Sequence, residues 1–238
     1  LVYLRIKIAD FVFEVETIYP YAESAASSYI TDEEPDLSFS ISPETIENRR
    51  LKRGENAFSP EYTEWLEIYR IISAFVTKHD GILMHGAVIE FDGGAYMFTA
   101  PSGTGKTTHI RQWRKLYGSR VHIVNGDKPL IRRIDGEFFA YGTPWCGKER
   151  WNRNTKAPLK GIALVERGEE NSIERVNPGD HLPFLLRQVY FHRDGVEYTL
   201  DAMDFLNDML EKVPLYKLQC NISTDAALVA SEMMTKSL

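Results

Sequence analysis

"TAPSGTGKTTH", residues 99–109, is the stretch from which this chain is best read. Gly103 and Gly105 alternate with small hydroxyl residues and stand directly before Lys106. Upstream, "AYMFTA" (95–100) has the apolar character of a strand; downstream, Lys106 to about Tyr117 reads as a helix. A glycine-rich bend between strand and helix turns backbone N–H groups inward and adds the positive end of the helix dipole. The stretch is therefore an anion cradle, and residues 100–107 fit the [AG]xxxxGK[ST] spacing of a nucleotide phosphate loop. In that pattern Pro101, Ser102, Gly103, Thr104, Gly105 and Thr108 line the phosphates of ATP. Lys106 reaches the β- and γ-phosphates, and the Thr107 hydroxyl ligates Mg2+.

The flanks extend the reading. "ILMHGAVIEF" (82–91) is expected as a strand joined to 95–100 by a Gly93-Gly94 hairpin turn, with His85 inside it. "VHIVNGDKP" (121–129) is a buried strand ending in Asp127, where a carboxylate can hold Mg2+ or accept a hydroxyl proton. "YGTPWCGKERW" (141–151) places Thr143, Lys148 and Arg150 in a Gly/Pro loop with two tryptophans, a cationic loop able to close on phosphates. Each residue also has a plainer reading: a lone histidine is more often structural, an Asp after a strand a turn former, a charged loop merely solvated.

The 238 residues suffice for one large α/β domain or two small ones, with 43% hydrophobic and 26% charged residues. A net charge of −6 argues against broad nucleic-acid or anionic-membrane binding. Cys146 and Cys220 form no metal spacing and suit a reducing, cytoplasmic setting. No run approaches the roughly 20 apolar residues of a membrane span, and the opening "LVYLRIKIADFVFEV" reads as strand rather than leader.

The organisation expected is a β-rich N-terminal region, 1–57, and an α/β core, 58–238, as two parts or one continuous domain. Residues 2–15 hold one or two strands, "LSFSIS" (37–42) another, and "ENRRLKRGEN" (47–56) a charged surface loop. Ser59 and Pro60 open a helix with Trp65, Ile68, Ile72, Phe75 and Val76 on one face, stopped by Gly81. A hairpin turns at Asp135 and Gly136, and "GIALVER" and "SIERVN" look like a strand pair. Helices near 179–190 and 197–212, the strand "LYKLQC" and a helix from Thr224 complete the chain.

Together, "HGAVIEFDGGAYMFTAPSGTGKTTH" and "VNGDKP" resemble the catalytic domain of the HPr kinase/phosphorylase family. The "SGTGKTT" wording is similar to that of ATP-dependent phosphoenolpyruvate carboxykinases. The resemblance covers roughly residues 82–166 and implies a mixed-sheet phosphate-loop core using ATP and Mg2+. It implies that Lys106 binds phosphate, that Thr107 and Asp127 hold the metal, and that Asp127 takes the proton of a serine-type hydroxyl. His85 would sit beside Asp127 and tune its charge. Two departures stand out. Lys128 occupies the place of a second acid, and no Glu-Ile-Arg-Gly type signature precedes "APLKGIALVER". Glu149 could stand in as a ligand but is more simply a solvated acid.

The leading expectation is a kinase acting on a hydroxyl of a protein, peptide or small molecule, with no nucleic-acid or membrane partner and a homo-oligomer left open. A nucleotide-binding accessory protein without phosphotransfer is the rival. A carboxykinase acting on oxaloacetate fits less well, since no His/Lys/Asp cage for a second metal is evident. Arg187, His192 and Arg193 in "RQVYFHRDG" read as a solvated helix end before an anionic ligand. His109, His122 and His181 receive no role.

Overall fold

A computed structural model describes residues 2–190 and 196–236. Residues 192 and 193 of the "RQVYFHRDG" segment therefore lie outside the described chain. The architecture is mixed α/β: a three-stranded N-terminal sheet and a ten-stranded mixed sheet, with seven helices among the described residues.

The first sheet follows from the opening alternation. Strands β1 (Val2–Ile8) and β2 (Phe11–Thr17) form an antiparallel hairpin turning at Ala9 and Asp10, and β3 (Leu37–Ser40) joins β2 in parallel. Helix α1 (Tyr21–Ala25) lies in the connection. The expected loop at 47–56 is largely helix instead: α2 spans Pro43–Leu51, and a 3-10 turn follows at Gly54–Asn56. The Ser42 hydroxyl accepts the Thr45 N–H, and Pro43 takes the first helical position. That capping signal was present in the sequence. Only Ile46 of the helix is buried, too few apolar residues to show a helical period.

Helix α3 (Pro60–Thr77) starts as expected, Ser59 accepting the Tyr62 N–H at 3.4 Å. Its face of Trp65, Ile68, Ile72 and Val76 is buried, with Phe75 packed beside it. Each such isoleucine contributes about 1.5–3 kcal/mol by leaving water. The helix ends at Lys78, before Gly81, and Asp80 makes the left-handed turn (φ 55). Gly81 already belongs to β4 (Gly81–Met84).

"ILMHGAVIEF" is two strands rather than one. β4 and β5 (Ala87–Phe91) are separated at His85 and Gly86 and diverge to different parts of the sheet. β5 pairs with β6 (Gly94–Thr99) around a turn at Asp92 and Gly93, one residue earlier than expected. It pairs on its other side with β7 (Val121–Asn125). Helix α4 (Lys106–Tyr117) lies between β6 and β7 in the chain, as read. The hairpin of β8 (Leu130–Ile134) and β9 (Glu137–Tyr141) turns at Asp135 and Gly136, also as read.

The long strand β10 (Lys156–Arg167) joins the two parts of the sheet. Its first residues pair antiparallel with β9, and its later ones run parallel to β6 and to β13 (Leu215–Cys220). β11 (Ser172–Arg175) pairs with β13, so "GIALVER" and "SIERVN" are not neighbours; β13 lies between them. The side chains of β11 are largely exposed, which makes the sequence of this edge strand a poor guide to its partner.

Helices α5 (Pro178–Gln188) and α6 (Val196–Lys212) cover one core of the large sheet, and β12 (Val189–Tyr190) pairs with β4. Helix α4 and α7 (Thr224–Met234) cover a second. The third core joins β1, β2 and α3 to Leu83, Leu130, Tyr141 and Trp145 of the large sheet's side. Among the described residues no helix is long and apolar enough to cross a membrane.

Glu64 ties the end of the first sheet to α3. Its carboxylate is 1% exposed and accepts the backbone N–H groups of Ile18 (2.7 Å) and Tyr19 (3.2 Å). Burial raises its carboxyl, and these two bonds oppose that rise. Glu64→Ala leaves both N–H groups without this acceptor, and a loss of about 2–4 kcal/mol in urea unfolding is expected. A variant within 0.5 kcal/mol of the parent, roughly the scatter of surface substitutions, would contradict this role.

Candidate functional site

The bend between β6 and α4 has the conformation its glycines allow. Gly103 (φ 80) and Gly105 (φ 125) lie in backbone regions that side chains disfavour, and Gly105 is the N-cap of α4. Lys106 is 7% exposed, and its ammonium donates to the carbonyls of Ala100 (2.8 Å) and Pro101 (3.3 Å). Burial lowers its pKa, Asp127 works against that shift, and Lys128 adds to it. Pro101, Ser102 and Gly103 are exposed, while Thr104, Gly105, Thr107 and Thr108 are half-buried at the mouth of the helix. Arg167, at the end of β10, donates to the carbonyls of Gly103 and Thr104 and braces the loop. No local sequence signal marks Arg167, because 60 or more residues separate it from its partners.

Asp127 stands beyond β7, which stops at Asn125, two residues earlier than the expected strand end. Asn125 is the cause. Its fully buried side-chain oxygen accepts the N–H groups of Asp127 (2.8 Å) and Lys128 (2.7 Å). Its amide nitrogen donates to the Thr143 carbonyl (3.0 Å) and hydroxyl (3.1 Å). The Thr143 hydroxyl in turn donates to the Lys128 carbonyl at 2.6 Å. Such an Asx-type turn leaves the carboxylate of Asp127 at one defined place.

The break between β4 and β5 brings His85 to the same place. The Gly86 N–H donates to the Asp127 carbonyl (2.9 Å), and the Thr99 hydroxyl to the His85 carbonyl (2.8 Å). Thr99 immediately precedes the phosphate loop, so loop and Asp127 turn are joined through this break. His85 Nε2 lies 3.5 Å from Asp127 Oδ1, and its Nδ1 donates to the Gln188 amide oxygen at 3.1 Å. Lys128 pairs with Asp127 Oδ2. Burial alone would raise the Asp127 carboxyl; the neighbouring His85 ring and the Lys128 ammonium outweigh it and hold the group at about 2. Burial disfavours the Lys128 ammonium, but the Asp127 carboxylate raises its pKa overall, so the pair is an ionised one.

Two cavities adjoin the 100–107 loop, and a third adjoins Asp127. One of 610 Å3 lies between the phosphate loop, the end of β10 and α5, with His181 and Phe184 on its wall. One of 310 Å3 lies between the start of α4, Arg167 and the β13–α7 connection. The third, 670 Å3, opens beside Asp127 and Lys128 between α1, α3 and the 144–152 loop. Lys148 and Arg150 line this third cleft and neither of the other two. Glu149 turns away to pair with Arg111 of α4 at 2.8 Å. His109 is buried against Phe98 and accepts from Trp113 Nε1, with burial lowering its pKa to about 3; it is a neutral packing residue.

The structure thus joins His85, Asp127 and Lys106 at one site. It adds Asn125, Arg167 and Gln188, whose roles no local signal marked. No family model matches the chain, and no curated protein matches it. Among solved structures, the Hpr(Ser) kinase/phosphatase from Coxiella burnetii is similar over 65% of this chain and 97% of its own. The identity is 9% and the TM-score 0.36, a likeness too loose to assign chemistry.

The depressed Asp127 carboxyl has a consequence for stability. Its folded value, about 2, lies below its ordinary 3.8, so the folded chain binds this proton less readily. The resulting stabilisation is fully present above about pH 4 and is lost as pH falls through 2. It amounts to roughly 1–2 kcal/mol after allowance for a carboxylate about a quarter exposed. In urea unfolding, the gap between the native chain and Asp127→Asn should be constant above pH 4 and shrink toward pH 2. A gap independent of pH would refute the pairing.

Proposed function

We propose that the chain binds ATP on residues 100–107 and transfers its terminal phosphoryl group to a hydroxyl. The observation that carries this reading is the juxtaposition of a strand–loop–helix phosphate cradle with an ionised, immobilised carboxylate. Phosphates seat on the loop N–H groups and the α4 terminus, and Lys106 exchanges its loop carbonyls for phosphate oxygens. The acceptor oxygen bonds to the γ-phosphorus while the bond to the β,γ-bridging oxygen breaks, and ADP leaves. The acceptor proton passes to Asp127. In a loose transition state the hydroxyl becomes acidic only as its bond to phosphorus forms, so a weak base suffices.

The donor set fits Mg2+. Thr107 and Asp127 present hard oxygens, and no group of three or more His, Cys, Asp or Glu gathers among the described residues. Such a pair would hold a magnesium ion, a hard cation that needs only one or two protein oxygens. When bound, the metal neutralises charge on the phosphates.

Lys128 supports a second reading. By occupying one Asp127 oxygen it weakens both base and metal ligand, as would suit a nucleotide-binding accessory protein that performs no transfer. Labelled ATP and Mg2+, offered with serine peptides and small hydroxyl compounds, separate the two. Transfer supports the kinase; tight binding without transfer to any acceptor supports the accessory role. In the first case Asp127→Asn should lose at least about 100-fold in transfer while nucleotide affinity survives. Retained turnover in that variant would sink the assignment of the base.

A further inference from the structure

The 670 Å3 cleft is lined by no residue of the 100–107 loop, yet Asp127 is on its wall. Tyr21, Ser24, Ser27 and Ser28 form one side, Tyr62 and Trp65 of α3 another, and the 144–152 loop the third. Its charged lining is Lys128, Lys148 and Arg150 against Asp127 alone, in a chain of net charge −6. Asp127 already neutralises Lys128. Lys148 and Arg150 pair with no carboxylate among the described residues, because the glutamate between them is engaged by Arg111.

The loop is shaped to present these two cations. Gly147 (φ 75) lies so close to Asp127 that a Cβ there would stand 3.1 Å from the Asp127 Cβ. Arg150 holds a left-handed backbone (φ 53), its N–H donating to the Gly147 carbonyl at 3.3 Å. A non-glycine residue kept in that conformation costs about 1 kcal/mol or more and is found where surrounding structure over-determines it.

We propose that this cleft is the acceptor site, and that the acceptor carries carboxylate groups close to its reactive hydroxyl. The inference rests on the phosphotransfer reading above. The hydroxyl reaches Asp127 at the inner wall, and the carboxylates meet Lys148 and Arg150 at the mouth. The apolar part lies on Tyr62 and Trp65, and the serines of 24–28 offer hydroxyls for the remaining polar groups. The volume is that of a ligand site for a few peptide residues or a small acid. Unpaired cations at the mouth of a cleft select by charge and speed encounter. The same chemistry comes from two sources: a serine flanked by acidic residues in a peptide, or a free hydroxycarboxylate.

The full chain with ATP and Mg2+ is titrated with fluorescent peptides in which one serine is flanked by aspartates or by lysines. Malate and glycerate are titrated separately, read by the emission of Trp65 and Trp145. The aspartate peptide, or the free acids, should bind at least about tenfold tighter than the lysine peptide, and Arg150→Glu should abolish or invert that preference. Saturation by malate or glycerate with weak peptide binding assigns the small acid as source; the reverse assigns the peptide. Equal affinity for both peptides with no binding of either acid overturns the proposal, as does an unchanged preference in Arg150→Glu. Lys148→Gln, also at an exposed site, should weaken acidic ligands in the same direction. Transfer of labelled phosphate is scored separately. Transfer without charge preference removes the acceptor cleft alone, whereas charge-selective binding with no transfer removes the kinase reading alone.

Discussion

The buried amide of Asn125 holds five groups in place at once. Its oxygen takes the N–H groups of Asp127 and Lys128; its nitrogen reaches the carbonyl and hydroxyl of Thr143 and the Trp145 carbonyl. Asn125 is fully buried, and without its oxygen the N–H groups of Asp127 and Lys128 would lose this acceptor. The turn after β7 and the loop before Trp145 therefore move as one unit. That unit carries the carboxylate on one side and one wall of the large cleft on the other. Its attachment to the phosphate loop runs through His85 and Gly86, whose backbone contacts Thr99 and Asp127.

Charge is arranged around the same point. Lys128 and His85 flank Asp127, and the carboxylate stays ionised because these neighbours outweigh its burial. Around them the chain is acidic, so the cationic cleft mouth is a local exception rather than a sample of the whole surface. The Lys106 ammonium is itself bonded to the loop carbonyls of Ala100 and Pro101.

Local signals carried much of the fold. The Ser59 cap with Pro60, the apolar stripe of α3, the Gly103–Gly105 bend and the Asp135 and Gly136 turn each depend on neighbouring residues, and each was legible. The same capping logic holds at Ser42, but α2 buries one apolar side chain and shows no period. Partners of strands were less legible. The run 82–91 looks continuous since both halves are buried and apolar, but His85 and Gly86 interrupt it, and the halves join different neighbours. β11 follows β10 in the chain but pairs with β13, a partner its exposed side chains do not specify.

The sequence by itself determined the strand–bend–helix at 100–107, since glycine conformations, the helix start and the lysine all lie within eight consecutive residues. It also marked Asp127 and His85 as residues worth weighing. Only the tertiary structure decided their meaning. His85 reaches Asp127 across 42 positions, Arg167 braces a loop some 60 positions earlier, and residues of α1 and α3 wall a cleft whose floor comes from 127 and 128. Those relations depend on which strands pair and which helices cover them. Pairing is set by burial summed over the whole chain, and no local window of sequence contains that sum.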